Sequence, residues 1–149
     1  MGGRAVITIE VRGLPAPQGS KRHVGRGVMV ESSRAVGPWR EAVRAETQRV
    51  MAGRKPLDVA LHVVISFSVP RPKSHYRTGR NAGLLKESAP YDPAGRPDLD
   101  KLVRAVLDGV TAGGAWTDDS LVVRLGAQKL YDGTPGARVT IAKMEDLRR

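Results

Sequence analysis

The chain of 149 residues has the length of one typical domain, so we expect a single domain over residues 1–149. Its 25 Lys and Arg against 15 Asp and Glu give a formal net charge of +10, which favours a polyanionic partner such as nucleic acid, because clustered cations release counterions from phosphates. The absence of cysteine excludes disulfides, thiolate metal ligands and cysteine nucleophiles, and no stretch approaches the roughly 18 consecutive apolar residues of a membrane span.

The first predicted element is a strand, AVITIEV (5–11), in which apolar and polar residues alternate. The N-terminal sequence has no long apolar run typical of a signal peptide, so we expect a cytoplasmic protein without a membrane partner. GLPAPQGSKRHVGRG (13–27) is too rich in Gly and Pro for regular structure. Its basic residues, Lys21 and Arg22 among them, make this loop a candidate phosphate contact.

A helix and a second strand are predicted next. Pro38 suits the first turn of a helix over about 38–52, with Trp39 and Val43 on its apolar side and Gly53 as a stop. DVALHVVISFSV (58–69) has the alternation of a strand. The residues on one face of this strand are all apolar: Leu61, Val63, Ile65, Phe67 and Val69.

Residues 70–95 form a long tract of low periodicity that is rich in basic residues. Loops of that length in a compact domain are usually functional or disordered. One interpretation is a DNA contact, with phosphates bound by the basic side chains and a base stacked on Tyr76. The other interpretation is a solvated, flexible loop. The candidate DNA-binding residues of the tract are Arg71, Lys73, Arg77 and Arg80.

In the C-terminal third, the sequence predicts one helix and two strands. A helix over about 98–110 has apolar residues at i, i+3, i+4, i+7, i+8 and i+11, which gives it one apolar face. DSLVVRLGAQKL (119–130) and ARVTIAKM (137–144) are typical of strands, and the turn sequence DGTPG between them predicts a hairpin. The order is β-α-β-α-β-β, and we expect an α+β fold with helices packed on a small mixed sheet.

Four aspartates surround this helix: Asp98 and Asp100 at its start, and Asp118 and Asp119 after its end. Taken singly, these acids are typical of a helix N-cap and of a turn that enters a strand. Residues two apart do not share a face of a helix. An N-cap residue has a non-helical backbone, however, so Asp98 in that position can turn its carboxylate toward Asp100.

Taken together, the same acids also suit a metal centre. Mg²⁺ and Mn²⁺ prefer hard oxygen ligands, and a catalytic site needs several carboxylates. Hydrolysis of phosphodiesters is the chemistry that such a site serves, and a basic surface around it fits a nucleic-acid substrate. The residues alone therefore favour a metal-dependent nuclease, or else a non-catalytic basic nucleic-acid-binding module in which the acids only cap and turn.

The block PDLDKLVRAVLDGV…WTDDSLVV…K closely resembles the RusA family of Holliday junction resolvases, small endodeoxyribonucleases often carried by phages and prophages. The resemblance covers about the whole chain, and PAPQGSKR together with the helix near Trp39 is similar to the opening segment of the family. Where the family usually has Asn, this chain has Lys101. Where the family has a functionally important Lys on the helix, this chain has Arg104. The 70–95 tract is longer than in compact members of the family.

The resemblance assigns the metal-binding carboxylates to Asp98, Asp100 and Asp119, with Asp118 as an auxiliary acid. It makes Arg104 a catalytic residue that contacts phosphate rather than transferring a proton, because a guanidinium does not titrate. Lys129 matches a recurrent Lys of the family. With Lys21, Arg22, the 70–95 tract, Lys101 and Arg104, it completes the expected DNA-binding set.

The resemblance implies an enzyme that resolves four-way DNA junctions in recombination and repair. It implies Mg²⁺ as the cofactor, with Mn²⁺ as a substitute, and a homodimer that places two sites on opposite strands of the junction. The alternative enzymatic function is that of a general branched-DNA or flap nuclease with the same site.

Overall fold

The computed structural model of the protein describes residues 5–19, 21–23, 29–31 and 34–148, and it describes 21–23 and 29–31 by their backbone alone. Single 3₁₀ turns lie at Lys73–His75, Gly79–Asn81 and Asp119–Leu121. The strands and helices, in chain order, are β1 (Val6–Arg12), β2 (Lys21–His23), β3 (Met29–Glu31), α1 (Val36–Val50), β4 (Leu61–Val69), α2 (Leu99–Ala112), β5 (Val122–Tyr131), β6 (Gly136–Lys143) and α3 (Met144–Leu147).

The longer strands form one four-stranded sheet in the order β1-β6-β4-β5. β6 pairs antiparallel with both β1 and β4, while β4 and β5 run parallel. This is the small mixed sheet of an α+β fold, and the long elements follow the predicted β-α-β-α-β-β order. The predicted fold class is confirmed.

Both long helices cover one face of the sheet, where the core lies. The five alternating apolar residues of β4 are all buried, as predicted, and all but Val69 meet buried residues of β1, β6, α1 and α2 in one cluster. On the opposite face most side chains are exposed or half-buried, as at Thr8, Val64 and Arg138. Among the helices of the described ranges, none is both long and apolar enough to cross a membrane.

The predicted hairpin between the last two strands is wrong, because β4 lies between β5 and β6. The connection crosses the end of β4, where the backbone N–H of Asp132 donates to the carbonyl of Val69 at 3.1 Å. A turn sequence predicts only that the chain reverses. The choice of neighbour is decided by burial, and β4 gains a hydrogen-bonded partner on each edge when it is central.

Two further predictions differ from the structure. β2 lies within the predicted loop 13–27 and pairs antiparallel with β3, which follows the loop, so part of this stretch is regular. The third predicted strand began at Asp119, but Asp119–Leu121 is a single 3₁₀ turn and β5 begins at Val122. Asp119 therefore lies in a turn that precedes β5, outside the sheet.

Two glycines one turn apart bring α2 close against α1. A Cβ atom built at Gly109 would lie 2.7 Å from Val43 Cγ1, and one at Gly113 would lie 2.5 Å from Thr47 Cβ. Both distances are shorter than van der Waals contact, so only glycine permits this approach. The contact fixes the rotation of α2 about its axis, and with it the direction in which the acids at its start point.

We expect Gly109→Ala to lower the free energy of unfolding by about 1–3 kcal/mol, the usual effect of overpacking a filled contact. Gly37→Ala is the matched control, because Gly37 also lies in a helix but has no atom within 4 Å of a built Cβ. It should leave stability unchanged or raise it by about 0.4–1 kcal/mol. Urea denaturation of both variants measures the difference. Equal effects would contradict the close contact.

Candidate active site

Asp98 occupies the N-cap position of α2 but does not cap with its side chain. Its backbone is extended, with φ −69° and ψ 135°, and its carboxylate makes no capping hydrogen bond. The side chain is 55% exposed, and Lys101 Nζ lies 3.9 Å from Asp98 Oδ2. An N-cap aspartate normally binds the first amides of its helix, so a carboxylate left out of that role is available to a ligand.

Asp100 lies in the first turn of α2 and is exposed. Its Oδ1 atom accepts a hydrogen bond from the backbone N–H of Lys101 at 2.9 Å. The positive end of the helix dipole favours this negative charge. One oxygen of each of the two carboxylates at the helix start therefore meets a donor or cation supplied by Lys101.

Arg104 brings Asp119 to the side of α2. Arg104 Nη2 donates to Asp119 Oδ2 at 2.5 Å, and Arg104 Nε lies 3.4 Å from Asp108 Oδ1. Arg40 of α1 continues the series, with Nη1 at 3.9 Å from Asp108 Oδ2 and 3.1 Å from Gln18 Oε1. Positive and negative side chains alternate along this network, which begins at Arg40 and ends at Asp119.

Asp118 has a local structural partner. Its Oδ2 atom accepts a hydrogen bond from the backbone N–H of Ser120 at 2.9 Å and so caps the 3₁₀ turn. Hydrogen bonds from the side chain of Ser120, and then from its backbone, lower the pKa of the Asp118 carboxyl. The carboxylate thus supports the turn at neutral pH, and that support is lost as the pH falls through the lowered pKa. Capping accounts for Asp118 without a metal.

The four acids do not form a compact cluster. Within the described residues, no three Asp, Glu, His or Cys side chains are grouped closely enough to hold a metal ion. The donors nevertheless fit a divalent cation in their chemistry, since Asp98 is free of capping and Asp119 already binds a cationic group, the guanidinium of Arg104. A divalent cation at Asp119 would take the place of that guanidinium.

Lys129 anchors the backbone that leads into Asp98. Its neighbour across the sheet, Phe67, is fully buried, so Lys129 also extends from the helix-covered side of β5. Lys129 Nζ donates to the carbonyls of Gly95 at 2.6 Å and Pro97 at 2.7 Å. An ammonium has three N–H donors, so one remains for another ligand.

The other predicted DNA-binding side chains have different surroundings. Arg71 donates from Nη1 to the carbonyl of Pro90 at 2.7 Å, and its guanidinium lies 4.4 Å from the ring centre of Tyr131, so it ties the 70–95 tract to β5. Arg77 Nε donates to the carbonyl of Leu85 at 3.2 Å. Lys73 and Arg80 are exposed. The side chains of Lys21 and Arg22 lie outside the described part of the chain.

Sequence reasoning missed Gln18, Arg40 and Tyr131. Gln18 binds the start of α2 directly, because its backbone N–H donates to the carbonyl of Lys101 at 3.0 Å. Its place in PAPQGSKR was the available signal, since that segment carried part of the resemblance. Arg40 and Tyr131 had no comparable signal. Their partners lie far away in sequence.

A family model described as "Endodeoxyribonuclease RusA" matches residues 12–142, which include α1, α2, every acid described above and Lys129. None of the curated proteins compared with the chain matches it significantly.

We expect Lys129→Met to lower the free energy of unfolding by about 1.5–3 kcal/mol, the usual contribution of hydrogen bonds to a charged group. Lys73→Met is the control, because Lys73 is an exposed lysine near the start of the 70–95 tract, whereas Lys129 binds the end of that tract. The free energy of unfolding of Lys73→Met should stay within about 0.5 kcal/mol of the wild-type value. Amide hydrogen exchange over 95–98 should rise in Lys129→Met alone. Unchanged exchange there would mean that the two hydrogen bonds do not hold this segment.

Proposed function

The chain belongs to the RusA endodeoxyribonuclease family, and on that premise we propose that it hydrolyses DNA with a divalent cation held by Asp98, Asp100 and Asp119. As a member of this family it is an endodeoxyribonuclease that resolves Holliday junctions. We propose DNA recombination and repair as the process it serves. The observation that carries the proposed site is the Arg104–Asp119 contact, which holds the acid after the helix against the side of α2, one turn beyond Asp100.

Nucleases of this family depend on a divalent metal, and we propose Mg²⁺, with Mn²⁺ as a substitute. Three exposed or half-exposed carboxylates with hard oxygen donors support this choice over a softer metal. A divalent ion bound there supplies Lewis acidity toward the phosphate and favours ionisation of the attacking water. Asp118 is less suited to the ligand set, because it is already engaged in capping.

The basic residues of the site have roles that follow from their chemistry. Arg104 carries a charge that does not titrate, so we assign it to binding a phosphate of the substrate rather than to proton transfer. Lys101, 3.9 Å from Asp98, lowers the repulsion between the acids and an approaching phosphate. The remaining donor of Lys129 is a third candidate contact. The proposed DNA-binding side chains of the 70–95 tract extend this surface.

Resolution of a junction needs one nick in each of two strands. We propose a homodimer, because each chain contains one copy of the acid set. A general flap or branched-DNA nuclease with the same site would have less need of paired cuts. Comparing a four-way junction, a flap and a plain duplex as substrates distinguishes the two activities.

The wild-type chain should nick a synthetic four-way junction in Mg²⁺ at symmetric positions. Asp100→Asn should abolish the nicks and leave binding of the junction unchanged or tighter, because a neutral amide repels phosphate less than a carboxylate does. Glu145→Gln is the control, because it neutralises an exposed acid of α3. Gel assays of cleavage and binding measure both effects. No nicking by the wild type in any divalent metal would overturn the assignment, and equal loss of binding and cleavage would make Asp100 a folding residue.

Arg104→Gln should raise the affinity for Mn²⁺ while lowering the rate of cleavage. The substitution frees Asp119 and removes a positive charge beside the proposed ligands, and an exposed ion pair of this kind contributes about 0.2–1 kcal/mol, or up to about fivefold in affinity. Isothermal titration calorimetry with Mn²⁺ measures the change.

Arg138→Gln is the matched control, because Arg138 also pairs with a carboxylate, that of Glu10, but on the opposite face of the sheet. Its Mn²⁺ affinity should equal that of the wild type. Weaker Mn²⁺ binding by Arg104→Gln would show that Asp119 is not a ligand.

A further inference from the structure

A cavity of about 800 Å³ opens directly beside the start of α2. Its walls come from the 14–19 segment, the 90–97 segment and the ends of β4 and β5. Asp98 and Lys101 are among its lining residues, so it adjoins the proposed position of the phosphate that is cut. Its volume falls within the range of about 300–1,000 Å³ that is typical of pockets for small organic groups.

The walls of this cavity are mostly apolar and conformationally restricted. Seven of the ten prolines of the chain line it. A proline ring fixes φ and offers no backbone N–H, so these walls keep their shape and present little polar surface. In the wall formed by β5, the Tyr131 ring contacts the guanidinium of Arg71 at 4.4 Å and the His75 ring, edge to face, at 5.5 Å between ring centres.

The charged groups of the cavity lie close to the acids of α2. Arg96, Lys101 and Lys129 supply three cations, against the two carboxylates of Asp92 and Asp98. Lys129 Nζ has one N–H left after its two bonds to backbone carbonyls. A ligand that suits this arrangement has a flat, largely apolar part and an anionic group attached to it.

We propose that the cavity receives one unstacked nucleobase of the DNA, next to the phosphate that lies at Asp98 and Asp100. The inference rests on the proposed function and deepens it, because it identifies how a branch point is recognised. A base at a branch point has lost part of its stacking, so it leaves the helix at less cost than a base inside a duplex. The proline walls give the base van der Waals contacts in place of the stacking that it has lost.

The test uses four-way junctions that carry 2-aminopurine at successive positions around the branch point, with the protein in EDTA so that no strand is cut. With the wild-type chain, fluorescence should rise several-fold at one position next to the cleaved bond and stay low in a continuous duplex. No rise at any position, in a protein that nicks the same junction in Mg²⁺, would overturn the inference. A protein that nicks no junction in any metal would instead overturn the proposed function.

Ala94→Trp tests the cavity directly, because Ala94 is an exposed residue of its wall and an indole there would occupy the space. The matched control is Ala82→Trp, an exposed alanine of the same tract that does not line the cavity. The fluorescence rise should disappear in Ala94→Trp and persist in Ala82→Trp.

A second readout does not depend on quenching by the new indole. An abasic nucleotide at the responsive position should weaken binding of the junction by the wild type and by Ala82→Trp, but not by Ala94→Trp, since that variant has no cavity to receive the base. Equal weakening in all three proteins would place the base outside the cavity and overturn the inference.

Discussion

The position of α2 is fixed from two sides, and the placement of the acids depends on it. On one side, Gly109 and Gly113 let the helix approach α1 more closely than any side chain would permit. On the other side, Lys129 of β5 holds the two carbonyls that precede Asp98. Neither contact uses a carboxylate of the acid set. The backbone that carries Asp98 and Asp100 is therefore held in place by packing and hydrogen bonds, while the carboxylates stay exposed to ligands.

A chain with a net charge of +10 can gather acids around one helix because it pairs them with cations of its own. Arg40, Asp108, Arg104 and Asp119 follow one another in space with alternating sign, and together they carry no net charge. At the helix start, the ammonium of Lys101 lies near Asp98, and the backbone N–H of Lys101 donates to Asp100. The acids thus add little negative field to the surface that meets DNA, and the excess of Lys and Arg elsewhere sets the long-range attraction to phosphates.

Periodicity predicted the elements of this fold well, because burial on one face leaves a direct mark on the sequence, as in β4 and α2. Pairing was less predictable, since the DGTPG turn marks a reversal of the chain but not the strand that comes to lie between β5 and β6. The acids of the proposed site were visible as PDLD and TDD. The contacts that organise them were not, because Arg104–Asp119 and Lys129–Pro97 join residues that only the tertiary fold brings together.

Under the proposed function, both ligands of the site act on the Arg104–Asp119 pair. A divalent cation takes the carboxylate, and a phosphate takes the guanidinium, so either ligand separates the pair. Once one ligand has separated the pair, the other ligand binds without spending the free energy of that separation. Thermodynamic linkage makes the coupling equal in both directions. The coupling is limited by the strength of an exposed pair, about 0.2–1 kcal/mol, or up to about fivefold in affinity. The site therefore holds its cation most tightly when DNA is bound, which favours hydrolysis in the complex where a phosphate is in position to be cut.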